Sequence, residues 1–191
     1  MYRIGFGLTA SYCTIKAILE QIKILVKDGY DVIPIVTDTL VEFDTRFQTA
    51  ESIIKDLEEI TSNKVITDIV EAEEFGPKIP LDLMVISPMS GNSLSKFCHA
   101  HNDNAVLMAA KATLRNGNPC VIGIATNDGL GLSGENVMKL LATKNIFFIP
   151  FGQDNYQKKP NSLVAHFELL PKTIEKALLR EQIQPVLRDY D

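Results

Sequence analysis

Short, β-branched apolar runs alternate with longer amphipathic stretches from the first residues to about residue 151, and this rhythm constrains the fold more than any other feature. The runs are Tyr2–Leu8, Asp31–Thr37, Lys64–Val70, Asp82–Ser87, Pro119–Ala125 and Asn145–Phe151. Most are continuously apolar rather than alternating, as parallel strands covered on both faces are. Between the first two, Ile15, Ile18, Leu19, Ile22, Leu25 and Val26 recur at helical spacing, and Gly29 stands where a C-terminal cap belongs. Ile53, Leu57 and Ile60 mark a second helix, and Val106, Ala109, Ala110, Thr113 and Leu114 a third. Val137, Leu140 and Leu141 mark a fourth with Ser133 as N-cap, and a last one runs from about Lys172 to Arg180, entered through Pro171. Strands separated by helices are βαβ units. Right-handed crossovers fold them into a three-layer α/β arrangement, a mostly parallel sheet with helices on both faces.

One domain over 1–191 is expected, with 1–151 as its core and 152–191 as a loop and C-terminal helix or arm. The stretch from Gly152 to Pro171 is too long for a routine connection, so it is either a functional loop or an arm reaching another protomer. A chain of 191 residues with 46% hydrophobic residues can bury a core without disulfides or metal. Its 19 basic against 24 acidic residues give a net charge of −5, which argues against a nucleic-acid binder or a polybasic membrane module. No run approaches the roughly 18 apolar residues of a bilayer span. Cys13, Cys98 and Cys120 are odd in number and widely spaced, and the first seven residues lack a secretory pattern, so a cytoplasmic location is expected.

In open α/β sheets, ligands bind outside the carboxyl ends of the strands. Four such ends carry small, hydroxyl-rich loops: Gly7 to Ser11, Thr37-Asp38-Thr39, Ser87 to Ser93, and Thr126 to Gly129. Backbone N–H groups and hydroxyls at helix starts can receive phosphate or carboxylate, although turns and caps use the same residues for purely structural ends. Gly5-Phe6-Gly7-Leu8-Thr9-Ala10 formally matches a dinucleotide fingerprint. Only three residues follow Met1 before Gly5, so it falls inside the strand, and Asp38 lies too far on to serve as the usual ribose acid. A mononucleotide phosphate turn fits better.

Pro88-Met89-Ser90-Gly91-Asn92-Ser93-Leu94-Ser95-Lys96 resembles the Pro-Ala-Ser-Ala-Asn-Thr-x-x-Lys signature of the homo-oligomeric flavin-containing Cys decarboxylase family, which also holds the prenyl-flavin synthases. Gly7 to Ser11 is similar to that family's phosphate turn, Thr37 to its hydroxyl residue after the second strand, and Asp103-Asn104 through Lys111 to its Asp-Asn-Leu helix. The resemblance implies a flavodoxin-like, Rossmann-like sheet and an FMN-type site lined by Gly7, Thr9, Ala10, Ser11, Thr37, Ser90, Asn92 and Ser93. The strand-end loops add Ser87, Met89 and Thr126. It also implies sites shared between the protomers of a trimer or larger homo-oligomer, with Lys96 either supporting the loop or meeting an acidic ligand.

The C-terminal stretches Lys159 to Ala165 and Gln182 to Leu187 narrow the resemblance to a branch acting as one component of a two-component sporulation oxidoreductase. That branch implies oxidation of a dihydropyridine precursor to pyridine-2,6-dicarboxylate, with NADP used through a separate A component. Three departures set the chain apart from the decarboxylases and prenyl-transferring members. Its first His is His99, so no early His can act in catalysis; Asn127 to Gly131 stands where a substrate signature belongs; and the Arg after the fifth strand is missing. The site is left to hold a flavin phosphate or the dicarboxylate itself, and a partner that has lost flavin remains an alternative.

Other polar groups suggest no further centre. His99 and His101 are read as a solvated helix pair, since i and i+2 diverge on a helix. No Cys-x-x-Cys spacing exists, so no metal is expected. Cys120, Phe147 and Phe148 read as core, and Glu58, Glu59, Glu71, Glu73 and Glu74 as solvated faces. Cys13 follows the phosphate-like loop, where a thiolate would be favoured. Lys158 and Lys159 are surface charges unless their loop folds over a dicarboxylate.

Overall fold

The computed structural model describes residues 1–45 and 48–190. Five parallel strands form its centre: β1 (Arg3–Leu8), β2 (Asp31–Val36), β3 (Leu83–Met89), β4 (Cys120–Thr126) and β5 (Ile146–Phe148). They lie in the order β2-β1-β3-β4-β5, so successive connections leave β1 in opposite directions and open a crevice between the ends of β1 and β3. Two short strands, β6 (Phe151–Gly152) and β7 (Leu163–Ala165), run antiparallel to each other. β7 pairs with the last two residues of β4, beyond the reach of β5.

Helix α1 (Ile15–Lys27) fills the β1–β2 crossover and buries Ile15, Ile18, Leu19, Ile22 and Leu25. It ends as expected, with Gly29 at φ 88°. After β2 come α2 (Asp38–Glu42), α3 (Ala50–Thr61) and α4 (Ile69–Glu73). α5 (Gly91–Cys98) and α6 (Ala105–Arg115) join β3 to β4, α7 (Gly134–Leu141) joins β4 to β5, and α8 (Leu170–Leu178) comes last. α1 packs with α3 and α8, whereas α6 packs with α4 and α5 with α7, so helices cover both sheet faces. The core between them is almost wholly aliphatic, with Phe6, Phe148 and Phe151 fully buried. Cys120 is buried too, and burial pushes its thiol far above the ordinary range.

The expected strand at Lys64–Val70 is not one. Only Ile66 bridges to Ile35, while Asp68 accepts the N–H groups of Val70 and Glu71 and starts α4. An N-cap carboxylate stabilises a helix start by about 1 kcal/mol, and here it overrides the apolar run. The strand at Asn145–Phe151 is likewise cut: Pro150 has no N–H to donate, and the chain resumes as β6 on a new partner. The irregular stretch after Gly152 contains β7, a strand too short for periodicity to reveal. The segment after α8 also joins the sheet, with Phe151 N–H donating to Val186 and Arg188 N–H to Phe151. No described helix is long and apolar enough to cross a membrane.

Candidate functional site

The carboxyl ends of β2, β1 and β3 place three loops side by side, and one hydroxyl ties two of them together. Thr9 Oγ1 donates to the Pro88 carbonyl at 2.9 Å and accepts the Ser90 N–H at 2.9 Å. The Thr9 N–H also reaches the Pro88 carbonyl, at 3.2 Å. Ser90 is then the N-cap of α5, its side chain accepting the Ser93 N–H at 3.3 Å. The remaining N–H groups of the first turn point outward with the positive end of the helix dipole. Gly91 lets this helix start press onto β4, since a Cβ there would lie 2.7 Å from Thr126 Oγ1.

These ends enclose a pocket of about 210 Å³ lined by Ala10, Thr37, Asp38, Thr39, Ser90, Asn92, Ser93, Lys96, Asp103 and Asn104. Five of the expected site residues, Ala10, Thr37, Ser90, Asn92 and Ser93, therefore meet in one place. Thr37 is buried, and its Oγ1 has no hydrogen-bond partner within the described residues. A buried hydroxyl without a partner costs about 1–3 kcal/mol, so such groups in pockets are commonly completed by a ligand.

The other expected residues stand off this pocket. Gly7 lies inside β1, where a Cβ would come within 2.7 Å of Val106 and 2.8 Å of Met84, so its role is to let α6 pack on the strand. Thr9 braces the loops from beneath rather than lining the pocket. Ser11 precedes a single 3₁₀ turn at Tyr12–Thr14 and receives the Thr14 hydroxyl on its carbonyl. That turn delays α1 to Ile15, so Ser11 does not begin the helix that a phosphate turn would need. Ser87 and Met89 are buried within β3, Ser87 facing Gly123 of β4. Thr126 lies behind Gly91 and accepts the Asp128 N–H at 3.3 Å.

Five lining residues stand outside the expected set: Asp38, Thr39, Lys96, Asp103 and Asn104. Asp38 and Thr39 begin α2 directly after Thr37, so the loop named for its hydroxyls brings a carboxylate with it. Asn104 caps α6 by accepting the Leu107 N–H, and the turn before it carries Asp103 to the pocket. Lys96 Nζ donates to Asp103 at 2.6 Å, and that hydrogen bond holds the Asp103 carboxyl below the ordinary range. Lys96 thus supports the loop, and its charge is largely neutralised. The lining carries two carboxylates and one ammonium, so attraction for an anion must come from the backbone N–H groups of α5. Carboxylates beside hydroxyls suit a polyol, such as a ribityl chain, whose hydroxyls donate.

The His pair is not a helical pair: α5 ends at Cys98, Ala100 takes φ 61°, and His101 lies in the turn beyond. Neither lines the pocket. Among the described residues no cluster of His, Cys, Asp and Glu is arranged to hold a metal. Cys13 is exposed in the 3₁₀ turn, outside the pocket. Lys159 pairs with Asp154 at 3.1 Å on the loop before β7, and Lys158 is exposed nearby.

The Flavoprotein family profile matches residues 1–156. The B subunit of dipicolinate synthase from Bacillus subtilis (strain 168) is 56% identical over 185 residues, 97% of this chain and 92% of that protein. The crystal structure of the dipicolinate synthase B subunit from Bacillus halodurans C superposes with a TM-score of 0.92 at 56% identity, covering 100% of this chain and 97% of that one. The FMN-dependent cysteine decarboxylase SpaF superposes at TM-score 0.65 with 18% identity, over 94% and 97% of the two chains, a likeness of fold alone. The chain belongs to the Flavoprotein family, within which it groups with the dipicolinate synthase B subunits.

Proposed function

We propose that this chain is the B subunit of a dipicolinate synthase. It oxidises a dihydrodipicolinate-type precursor to pyridine-2,6-dicarboxylate together with the dipicolinate synthase A subunit, in the cytoplasm of sporulating cells. One observation carries the reading: a chain 56% identical to such a protein has, at the β1/β3 crevice, a pocket holding a buried hydroxyl with no partner among the described residues. The reaction removes two electrons and two hydrogens. One hydrogen would leave as hydride, with NADP⁺ held by the A subunit as the final two-electron acceptor whether or not a flavin relays it, and the other as a proton. Aromatisation makes that loss favourable, so the protein chiefly has to orient the ring and exclude water.

The residues present fit a flavin mononucleotide. The free α5 N–H group at Asn92, with the Ser90 and Ser93 hydroxyls beside it, would receive its phosphate, and Thr37 and Asp38 the hydroxyls of its chain. Bound there, FMN would supply a ring able to accept hydride. At about 210 Å³ the pocket is smaller than the roughly 300–1,000 Å³ usual for drug-sized ligands, which supports walls completed by a second copy in a homo-oligomer. Decarboxylase or prenyl-transfer chemistry is disfavoured, because the first His of the chain is His99 and no His or Arg among the described residues lines the pocket.

A second reading, a partner that binds the dicarboxylate to complete the site of the A subunit, draws on the same small volume. Titrating the purified protein with FMN separates the two. Perturbed flavin absorption that is lost in Ser90→Ala/Asn92→Ala supports the flavin role. Unperturbed flavin, with pyridine-2,6-dicarboxylate bound instead, supports the partner role. If neither ligand binds, and NADPH formation by the A subunit is the same with and without this chain, the proposal fails.

A further inference from the structure

A second concavity, of about 570 Å³, lies on the outer helix layer between α6 and α7, separated from the flavin-type pocket by the turn before α6. Its floor is aliphatic, with Leu107 and Leu114 from α6 and Leu140 from α7. Its rim is cationic: Lys111 and Arg115 stand one helical turn apart on α6, and Lys139 rises from α7. No Asp or Glu among the described residues lines it. None of the three cations is within ion-pair distance of a carboxylate among the described residues. In a chain of net charge −5, three unpaired cations around one apolar floor form a local field opposite in sign to the rest of the molecule.

We propose that this groove docks an acidic amphipathic helix of the A subunit, a step that rests on the function proposed above. A helix laid in a groove buries apolar side chains at i, i+3 or i+4 and i+7 and leaves its two flanks over the walls. Here the walls offer basic partners on both sides, so Asp or Glu on each flank of the incoming helix fixes its register, with the aliphatic floor beneath. This chain's own acidic amphipathic helix cannot be the occupant. α3 carries Glu51, Asp56, Glu58 and Glu59, but its apolar residues Ile53 and Leu57 are fully buried in the core. The same groove would serve recruitment rather than chemistry, because none of its lining residues belongs to the flavin-type pocket.

The test is titration calorimetry of the full chain with the purified A subunit, at low and at high salt. Wild type is compared with Lys111→Glu/Arg115→Glu/Lys139→Glu and with a control of equal net charge, Lys27→Glu/Lys55→Glu/Lys172→Glu. All six side chains are exposed, so neither triple change removes a core contact, and thermal midpoints and FMN titrations check that both variants are folded. The proposal requires the groove variant to weaken the complex at least about tenfold and to lose most of its salt dependence, while the control stays near wild type. Equal loss in both variants means that net charge alone steers association, and the groove assignment is wrong. Undiminished binding by the groove variant also overturns it, yet leaves the function proposed above standing. No complex with wild type overturns the groove assignment and the two-component reading together. A plug, Thr143→Trp, adds a charge-neutral check: it must weaken the complex too, and wild-type affinity would count against a helix in the groove.

Discussion

Thr9 and Ser90 are 81 positions apart in the chain, yet the hydroxyl of the first accepts the backbone N–H of the second at 2.9 Å. The same hydroxyl donates to the Pro88 carbonyl, so one side chain sets the position of the α5 N-terminus against β1. Replacing Thr9 with Val keeps the volume but leaves the Ser90 N–H without its acceptor in a part-buried site. The expected loss is about 1–3 kcal/mol of unfolding free energy, restored by Ser, and urea denaturation of both variants checks it.

Thr37 has the opposite signature, a buried hydroxyl that satisfies nothing among the described residues. Thr37→Val should leave the urea midpoint unchanged or slightly raised. The same change should weaken FMN or dicarboxylate binding by roughly tenfold, the usual scale of one lost hydrogen bond in a ligand site. A variant that loses stability but keeps affinity would show the hydroxyl to be structural.

Ser87 faces the backbone of Gly123, where a Cβ would collide with the serine hydroxyl and come within 2.9 Å of Ile149. Gly123→Ala is expected to cost about 1–3 kcal/mol as overpacking in a central strand. Adding Ser87→Gly should recover part of that loss, giving a favourable coupling energy between neighbouring sites. Denaturation of the two single variants and the double measures the coupling directly.

The Asp103 carboxyl is held below its ordinary range mainly by the hydrogen bond from Lys96. Because its folded value is depressed, the pair stabilises the protein fully above the unfolded carboxylate value, near pH 4, and the contribution fades as pH falls through the folded value. Both side chains are more than a third exposed, so the contribution is at most about 1 kcal/mol. In Lys96→Met the Asp103 resonance should titrate at the ordinary carboxylate pH, which NMR of the side-chain carbon will show.

The strands β1 to β4 are legible in the sequence because their burial is two-sided and needs unbroken apolar runs, and α1 because its stripe ends in a glycine. Lys64–Val70 misleads because Val65, Ile66 and Val70 carry strand-type side chains while Asp68, a single polar residue, decides the local outcome. β7 is invisible because Leu163, Val164 and Ala165 are too few to show a period. In the pocket, hydroxyl loops at strand ends point to Thr37, Ser90, Asn92 and Ser93, since topology alone brings those ends together. Gly7, Ser87 and Met89 come with them because a sequence does not reveal whether a strand's last residues face solvent or a packed helix. Asp103 joins the pocket through the turn between two helices, whose direction is fixed by the left-handed Ala100, and no motif spacing encodes that direction.

The segment around Leu187 pairs with Phe151 and so hems the outer margin of the sheet. Cut the chain before Pro185, and the amide and carbonyl of Phe151 would be bared along an edge able to recruit a stranger's backbone. The tail therefore works as a selvage, guarding the fabric against fraying into aggregates.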